Sequence, residues 1–414
     1  MVTWMTKAGA SRKLSKSFAA LAELFLVAVC GPALAFTVIG FIMSLVSRPF
    51  VGSRDFVIFW ATGEQAVHYS KANPYDGEAL MRILRSAGIP GWDSSYMYMR
   101  NMPSALPLVY PLGFLGYWPA SILWSMLLLA CLAGSVHMLW QLHGRPRNRR
   151  HWLGYSFGPA LVCMTMGQTS LFALFGLVLF LRLHRTRPFL AGASLWLCAL
   201  KPQLFLTFGV VLLAWVIVSM SYRILIGAVL AIAASCAIAF IIDPAAWTHY
   251  EQMMRQCGIE WEFIPCVSFL LRNWISPRTV WLQCVPAALG CLWGLAYFWP
   301  RRQTWDWIVH GSPLMLVSLV TAPYSYVYDA CVVIPALLQG AYATRSRIIL
   351  GALALLSALI EFALLGDALK PFAIYLWTLW SAPAWLVWYL FAARTPDKRK
   401  HAGQIDGEIA AIGD

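Results

Sequence analysis

Long apolar runs constrain this chain more than anything else in it. Stretch after stretch passes with almost no charge, and roughly 20 such residues are what a helix needs to cross the hydrocarbon core of a bilayer. In lipid every backbone N–H and C=O must be bonded within its own segment, so runs of this length fold as helices. Only 12% of the 414 residues are charged and 60% are hydrophobic. A soluble domain carries about 25% charged residues, so a water-soluble globular enzyme is excluded. Disordered and collagen-like chains are excluded by the same numbers. The chain is an all-α polytopic membrane protein whose partner is the lipid bilayer.

The apolar runs give about twelve crossings. They fall near 21–46, 106–142 (its start a candidate for a separate surface helix), 151–166, 168–183, 188–202, 203–220, 224–242, 281–299, 308–322, 328–343, 348–366 and 371–392. Several are shorter than a full span, and pairs such as 151–166 with 168–183 read as hairpins turning at one membrane face. The first run follows Lys7, Arg12, Lys13 and Lys16 but stays apolar through Val46, too long for a signal-peptide core. It is taken as a membrane helix.

Charge then sets the orientation. Twenty of the 31 Lys and Arg lie in the N-terminal tail, the turns 143–150, 182–187, 221–223, 301–302 and 344–347, and the C-terminal tail. Alternating the crossings puts all of these on one side, which the positive-inside rule makes cytoplasmic. The net charge of +13 is therefore topology, and no nucleic-acid partner is expected. The expected layout is a basic cytoplasmic tail over 1–20, one membrane domain over 21–392 and a disordered cytoplasmic tail over 393–414. The expected location is the plasma (inner) membrane, multi-pass, with both termini cytoplasmic. Outer loops over about 47–105 and 243–280 carry juxtamembrane helices. The turns at Gly167-Gln168, Lys201-Pro202 and 323–329 share their side. Most of the ten Cys lie in or beside apolar runs; Cys257 and Cys266 share an outer loop, where a disulfide is open but unforced.

The outer face collects Asp55, Asp93, Gln168, Lys201, Asp243, Glu260, Glu262, Arg272 and Asp329, among others. Polar groups at membrane depth are costly and commonly line a cavity or ligand path. Asp55 opens a helical stripe of Phe56, Trp60, Gly63 and Val67 that could lie on the membrane surface, with Ser53 as its cap. In a helix's first turn a carboxylate gains about 0.3–1 kcal/mol from the macrodipole with no chemistry attached. The functional alternative is a general base taking a proton from a hydroxyl.

Lys201 is the only charge between Phe189 and Met220, and Pro202 breaks the helix after it. It is a snorkelling interface lysine or a phosphate ligand, and both readings stand. Gln168 satisfies backbone groups freed by a broken helix or binds a ligand. Asp329, beside Tyr328, binds a ligand or pairs with a neighbouring tyrosine or with Lys201. Arg100 and Arg272 are outer-loop cations, candidates for phosphate or for lipid headgroups. Glu361, inside an apolar run, is a buried partnered carboxyl or a functional one. No phosphate-binding loop, HExxH, GxSxG or His/Cys ligand cluster is present, and no paired acid beside Asp55 demands a metal.

Asp55-Phe56, Trp60-Ala61, Asn73-Pro74-Tyr75-Asp76, Met102-Pro103 through Tyr110-Pro111-Leu112-Gly113, Gly167-Gln168-Thr169, Leu200-Lys201-Pro202, Ala322-Pro323-Tyr324 and Tyr328-Asp329 together resemble glycosyltransferase family 87, in order and spacing, over roughly 50–340. The resemblance implies a GT-C-like bundle of about twelve transmembrane helices. It implies a sugar, mannose foremost, moved from a polyprenyl-phosphate donor to a glycolipid or glycan acceptor at the extracytoplasmic face. The donor is a substrate, and no cofactor is implied. Asp55 would be the catalytic base, with Lys201, Gln168, Tyr328, Asp329, Arg100 and Arg272 as donor-binding candidates. Two rival classes share these features. A transporter or lipid flippase would need a through path, and a scaffold would leave the outer polar residues individually replaceable.

Overall fold

The computed structural model describes Ile42 and residues 55–69, 73–89, 98–257, 264–367 and 378–394. The first crossing at 21–46 apart from Ile42, the tail 1–20, nearly all of the tail 393–414, and Ser53, Asp93, Glu260 and Glu262 lie outside the described residues. Every regular element among the described residues is helical. In chain order the helices are α1 (Phe56–His68), α2 (Gly77–Ser86), α3 (Tyr117–Leu142), α4 (Gly158–Met166), α5 (Ser170–Leu183), α6 (Pro188–Cys198), α7 (Leu206–Val218) and α8 (Tyr222–Ile242). They continue with α9 (Ala246–Gln256), α10 (Val267–Ile275), α11 (Cys284–Phe298), α12 (Trp307–Thr321), α13 (Ile334–Ala343), α14 (Arg347–Asp367) and α15 (Ser381–Ala393).

Three stretches among the described residues are long and apolar enough to cross a bilayer alone: Tyr117–Leu142, Tyr222–Ile242 and Val280–Arg301. Their outward residues are those a lipid face needs. Met126 and Leu129 on α3, Val229 and Ile241 on α8, and Leu289 and Leu292 on α11 are all exposed, a surface that water would not tolerate in such quantity. The expectation of about twelve crossings is thus met only in part. Several other apolar helices, such as Ser170–Leu183 and Pro188–Cys198, are shorter than a full span, because turns at 167–169, 199–201 and 322–326 interrupt the runs. The start of the 106–142 run is separate, as expected, and forms short turns over Pro103–Ala105, Leu106–Val109 and Tyr110–Phe114.

Glycines let the central helices touch. A Cβ on Gly192 of α6 would meet the Ile224 carbonyl of α8, and one on Gly227 of α8 would meet the Phe189 carbonyl of α6. Close backbone approach through small residues is how helices associate where lipid supplies no hydrophobic drive. The turns sort to two ends of the bundle. At the basic end Arg150 donates to the carbonyls of Ala341 and Thr344 (both 2.7 Å), and Arg185 pairs with Asp306 (2.7 Å). At the other end Asn101 Nδ2 donates to the Leu200 carbonyl (3.3 Å), joining the 98–105 segment to the break before Pro202.

One sequence expectation is reversed. The Asp55 helix does not turn an apolar stripe outward: Phe56 through Ala61 are buried without a break. Protein encloses α1 because Gly63 and Gly113 meet. A Cβ on Gly63 would strike the Val109 carbonyl, and one on Gly113 the Gly63 carbonyl, so the 103–114 turns wrap α1 at backbone contact.

Candidate functional site

Asp55 precedes α1 outside the spanning segments, and its side chain makes no cap hydrogen bond to that helix. The carboxyl turns instead to Gln168, whose Nε2 donates to Asp55 Oδ2 at 2.7 Å. Gln168 is presented by Gly167, which ends α4 in the left-handed region at φ +73°, a conformation glycine adopts without penalty. Trp124 of α3 ties both residues down. Its Nε1–H donates to the Gly167 carbonyl (2.7 Å), and its ring packs on Phe56 (5.8 Å) and Phe172 (5.0 Å).

Lys201 begins the turn Pro202–Phe205 and is almost wholly buried. Its Nζ donates to Asp329 Oδ1 at 2.6 Å and lies 4.6 Å from the centre of the Tyr328 ring. Asp329 is 1% exposed and fully bonded. Oδ1 also accepts from the Ser170 hydroxyl (2.6 Å), and Oδ2 accepts from the Tyr326 backbone N–H (2.9 Å). Of the two readings left open for Asp329, the structure has the pairing with Lys201.

The two halves lie close enough for their charges to act on one another. Burial is the largest influence on the Asp55 carboxyl and pushes it above the ordinary aspartate range. The Gln168 hydrogen bond and then the charges of Lys201 and Arg100 pull it down, while Asp329 pushes it up. Those cations act on Asp55 only because they are near it. Arg100 is exposed, on the segment whose Asn101 touches Leu200.

Arg272 stands apart. It is 2% exposed, donates from Nη1 to Gln283 Oε1 (3.3 Å) and lies 4.9 Å from the Phe269 ring. It is therefore not a lipid-facing surface cation; its connection to the network runs through Tyr326, which packs beside Phe269 and stacks on Tyr328 (5.4 Å). Glu361 is buried where α14 meets α4, near Gly158. Cys257 and Cys266 are both free thiols.

Ser170 and Trp124 were not legible as site residues. A serine opening a helix reads as a cap, and a tryptophan inside a span reads as bundle filler. The one available signal for Ser170 was its spacing of two residues from Gln168.

The sequence matches glycosyltransferase family 87 over residues 101–323, a stretch that holds Gln168, Lys201 and Arg272 and stops short of Asp55 and Asp329. No curated protein and no solved structure matches the chain. With more than half of its residues inside that match and lipid-facing helices around a buried polar network, the chain belongs to glycosyltransferase family 87, a family of membrane glycosyltransferases.

Proposed function

We propose that the protein moves a sugar, mannose foremost, from a polyprenyl-phosphate donor to a hydroxyl of a glycolipid or glycan acceptor, with inversion, at the extracytoplasmic face of the plasma membrane. The observation that carries this reading is the convergence of a partly buried carboxyl, Asp55, with the cations Lys201 and Arg100 in one network. In the reaction the acceptor oxygen bonds to the anomeric carbon from the face opposite the phosphate. The bond from that carbon to the phosphate oxygen breaks, and polyprenyl phosphate leaves with the electron pair. Asp55 takes the acceptor proton. Its raised proton affinity makes it a stronger base than a surface aspartate, and the hydrogen bond from Gln168 favours its ionised form.

Negative charge grows on the leaving phosphate, and a cation fixed nearby stabilises it without reorganising. Lys201 is suited to this because Asp329 and the Tyr328 ring hold its ammonium in place while its other N–H groups stay free of that ion pair. Asp329 then serves as a positioning residue, since a carboxylate would repel the donor's phosphate, and Gln168, whose Nε2 donates to Asp55, positions that carboxyl. Arg100 supplies the second cation at the exposed edge.

The test uses purified protein in detergent with labelled polyprenyl-phosphate sugars. Wild type should release free polyprenyl phosphate as product forms. Asp55→Asn should bind donor normally and lose about 10²–10⁴-fold in turnover, the range expected for a positioned base. Normal turnover in that variant removes the base assignment. No polyprenyl phosphate released from any sugar donor would return the protein to the transporter class.

A further inference from the structure

A second polar site lies at the basic end, away from Asp55. There a cavity of about 420 Å³ is lined by His184, Arg185, Trp215, Ser221, Arg223 and Trp305. Three turns build it, 182–187, 219–223 and 299–306, and they carry Arg182, Arg185, Arg187, Arg223, Arg301 and Arg302 against the single acid Asp306.

That acid is already satisfied. Asp306 Oδ1 accepts from the N–H groups of Ile308 (2.8 Å) and Val309 (3.2 Å), and Oδ2 pairs with Arg185. Arg223 is exposed and has no acidic partner among the described residues. Trp305 is only 9% exposed, yet its indole N–H meets no acceptor. An unpaired donor beside surplus positive charge suits an anionic ligand.

The walls are rigid. Trp215 and Trp305 each contact the Trp307 ring (both 5.5 Å), and His184 packs on Trp215 (6.2 Å). Next to the opening, Ile217, Tyr222 and Ile226 on α7 and α8 are exposed apolar residues continuous with the lipid-facing surface of α8. A ligand here meets cations at one end and hydrocarbon along its flank.

We propose that this cavity binds the phosphate of an anionic membrane lipid, with the acyl chains lying along α7 and α8. Such a site anchors the basic end to the leaflet opposite the Asp55 network. Delipidated full-length protein in neutral detergent is titrated with phosphatidylglycerol, phosphatidylcholine or sodium phosphate, reading the thermal midpoint and, by native mass spectrometry, the lipid retained.

Phosphatidylglycerol should raise the midpoint saturably with one lipid retained, and phosphatidylcholine should not. Arg223→Gln should weaken the apparent affinity roughly fivefold, the loss expected for one basic residue at an anionic lipid. Trp305→Phe, which keeps the ring and removes the N–H, should weaken it by a smaller factor. Arg147→Gln, an exposed arginine outside the cavity, should leave it unchanged. Equal shifts with phosphatidylcholine, or wild-type affinity in a folded Arg223→Gln, would overturn the proposal. A full shift with inorganic phosphate alone would assign the cavity to a soluble anion and overturn the lipid identity.

Discussion

Replacing Lys201 by methionine and Asp329 by alanine, singly and together, measures the pair at the centre of the proposed site. Asp329 accepts from Lys201 Nζ, the Ser170 hydroxyl and the Tyr326 N–H. The two side chains are 9% and 1% exposed. Removing the carboxylate strands the ammonium over Tyr328 and should cost about 3–5 kcal/mol of stability, the usual penalty for an orphaned buried charge. Removing the ammonium is milder, about 3 kcal/mol, because Ser170 and Tyr326 still bond the carboxylate. The double variant leaves no charge behind, so it should be no worse than Asp329→Ala alone. The coupling energy is then at least about 3 kcal/mol, the whole cost of removing the ammonium alone. Reversible unfolding in mixed detergent micelles reads the stabilities, and donor titration reads the function. Lys201→Met should weaken donor binding even when compared under conditions where it is fully folded. Additive single effects would refute the ion pair, and wild-type donor affinity in folded Lys201→Met would refute Lys201 as the phosphate partner.

The other tests concern the shell around Asp55. Gln168→Leu deletes the hydrogen bond that lowers the Asp55 proton affinity. That bond favours the ionised carboxylate, so the acid limb of the pH–rate profile should move to higher pH. An unmoved limb would mean that the titrating group is not Asp55. Trp124→Phe removes the donor to the Gly167 carbonyl and should cost about 1–3 kcal/mol while lowering turnover more than donor affinity; loss of donor affinity alone would contradict its positioning role. Gly113→Ala drives a methyl group into the Gly63 carbonyl. It should destabilise by about 3 kcal/mol, the upper part of the range for overpacking, and a thermal midpoint equal to wild type would show that α1 is not clasped as described.

Several features of this arrangement were readable in advance. The hairpin turn at Gly167-Gln168 and the break at Lys201-Pro202 announce themselves through Gly and Pro, whose backbone effects are local. Alternating the crossings then brings these turns and the 323–329 segment to one end, where Asp55, Gln168, Lys201 and Asp329 meet. Enclosure of α1 was not readable, because its stripe of Phe56, Trp60 and Gly63 fits one buried face equally well. What buries the other faces is the contact between Gly63 and Gly113, a tertiary event fifty residues along the chain. The burial of Arg272 was hidden for the same reason. Its partner Gln283 lies beyond the turn that follows α10, and nothing in an outer-loop arginine's own surroundings reveals that it is buried.

The shortness of the apolar helices and the position of the site are one physical fact. Gln168 follows a left-handed helix end, Lys201 begins a turn at a proline break, Asp329 sits in the tight turn Val327–Val333, and Asp55 stands just ahead of α1. Each interruption frees backbone groups that lipid cannot satisfy, so such breaks persist only where protein or a polar cavity surrounds them. The side chains meet that demand in part: Asp329 bonds the Tyr326 N–H, Asn101 bonds the Leu200 carbonyl, and Trp124 bonds the Gly167 carbonyl. Continuous spans of 20 residues at these places would present only helix faces, with every backbone group already paired and no reason for four polar side chains to converge. A carboxyl, an amide and an ammonium can be held at fixed relative positions because the helices end there.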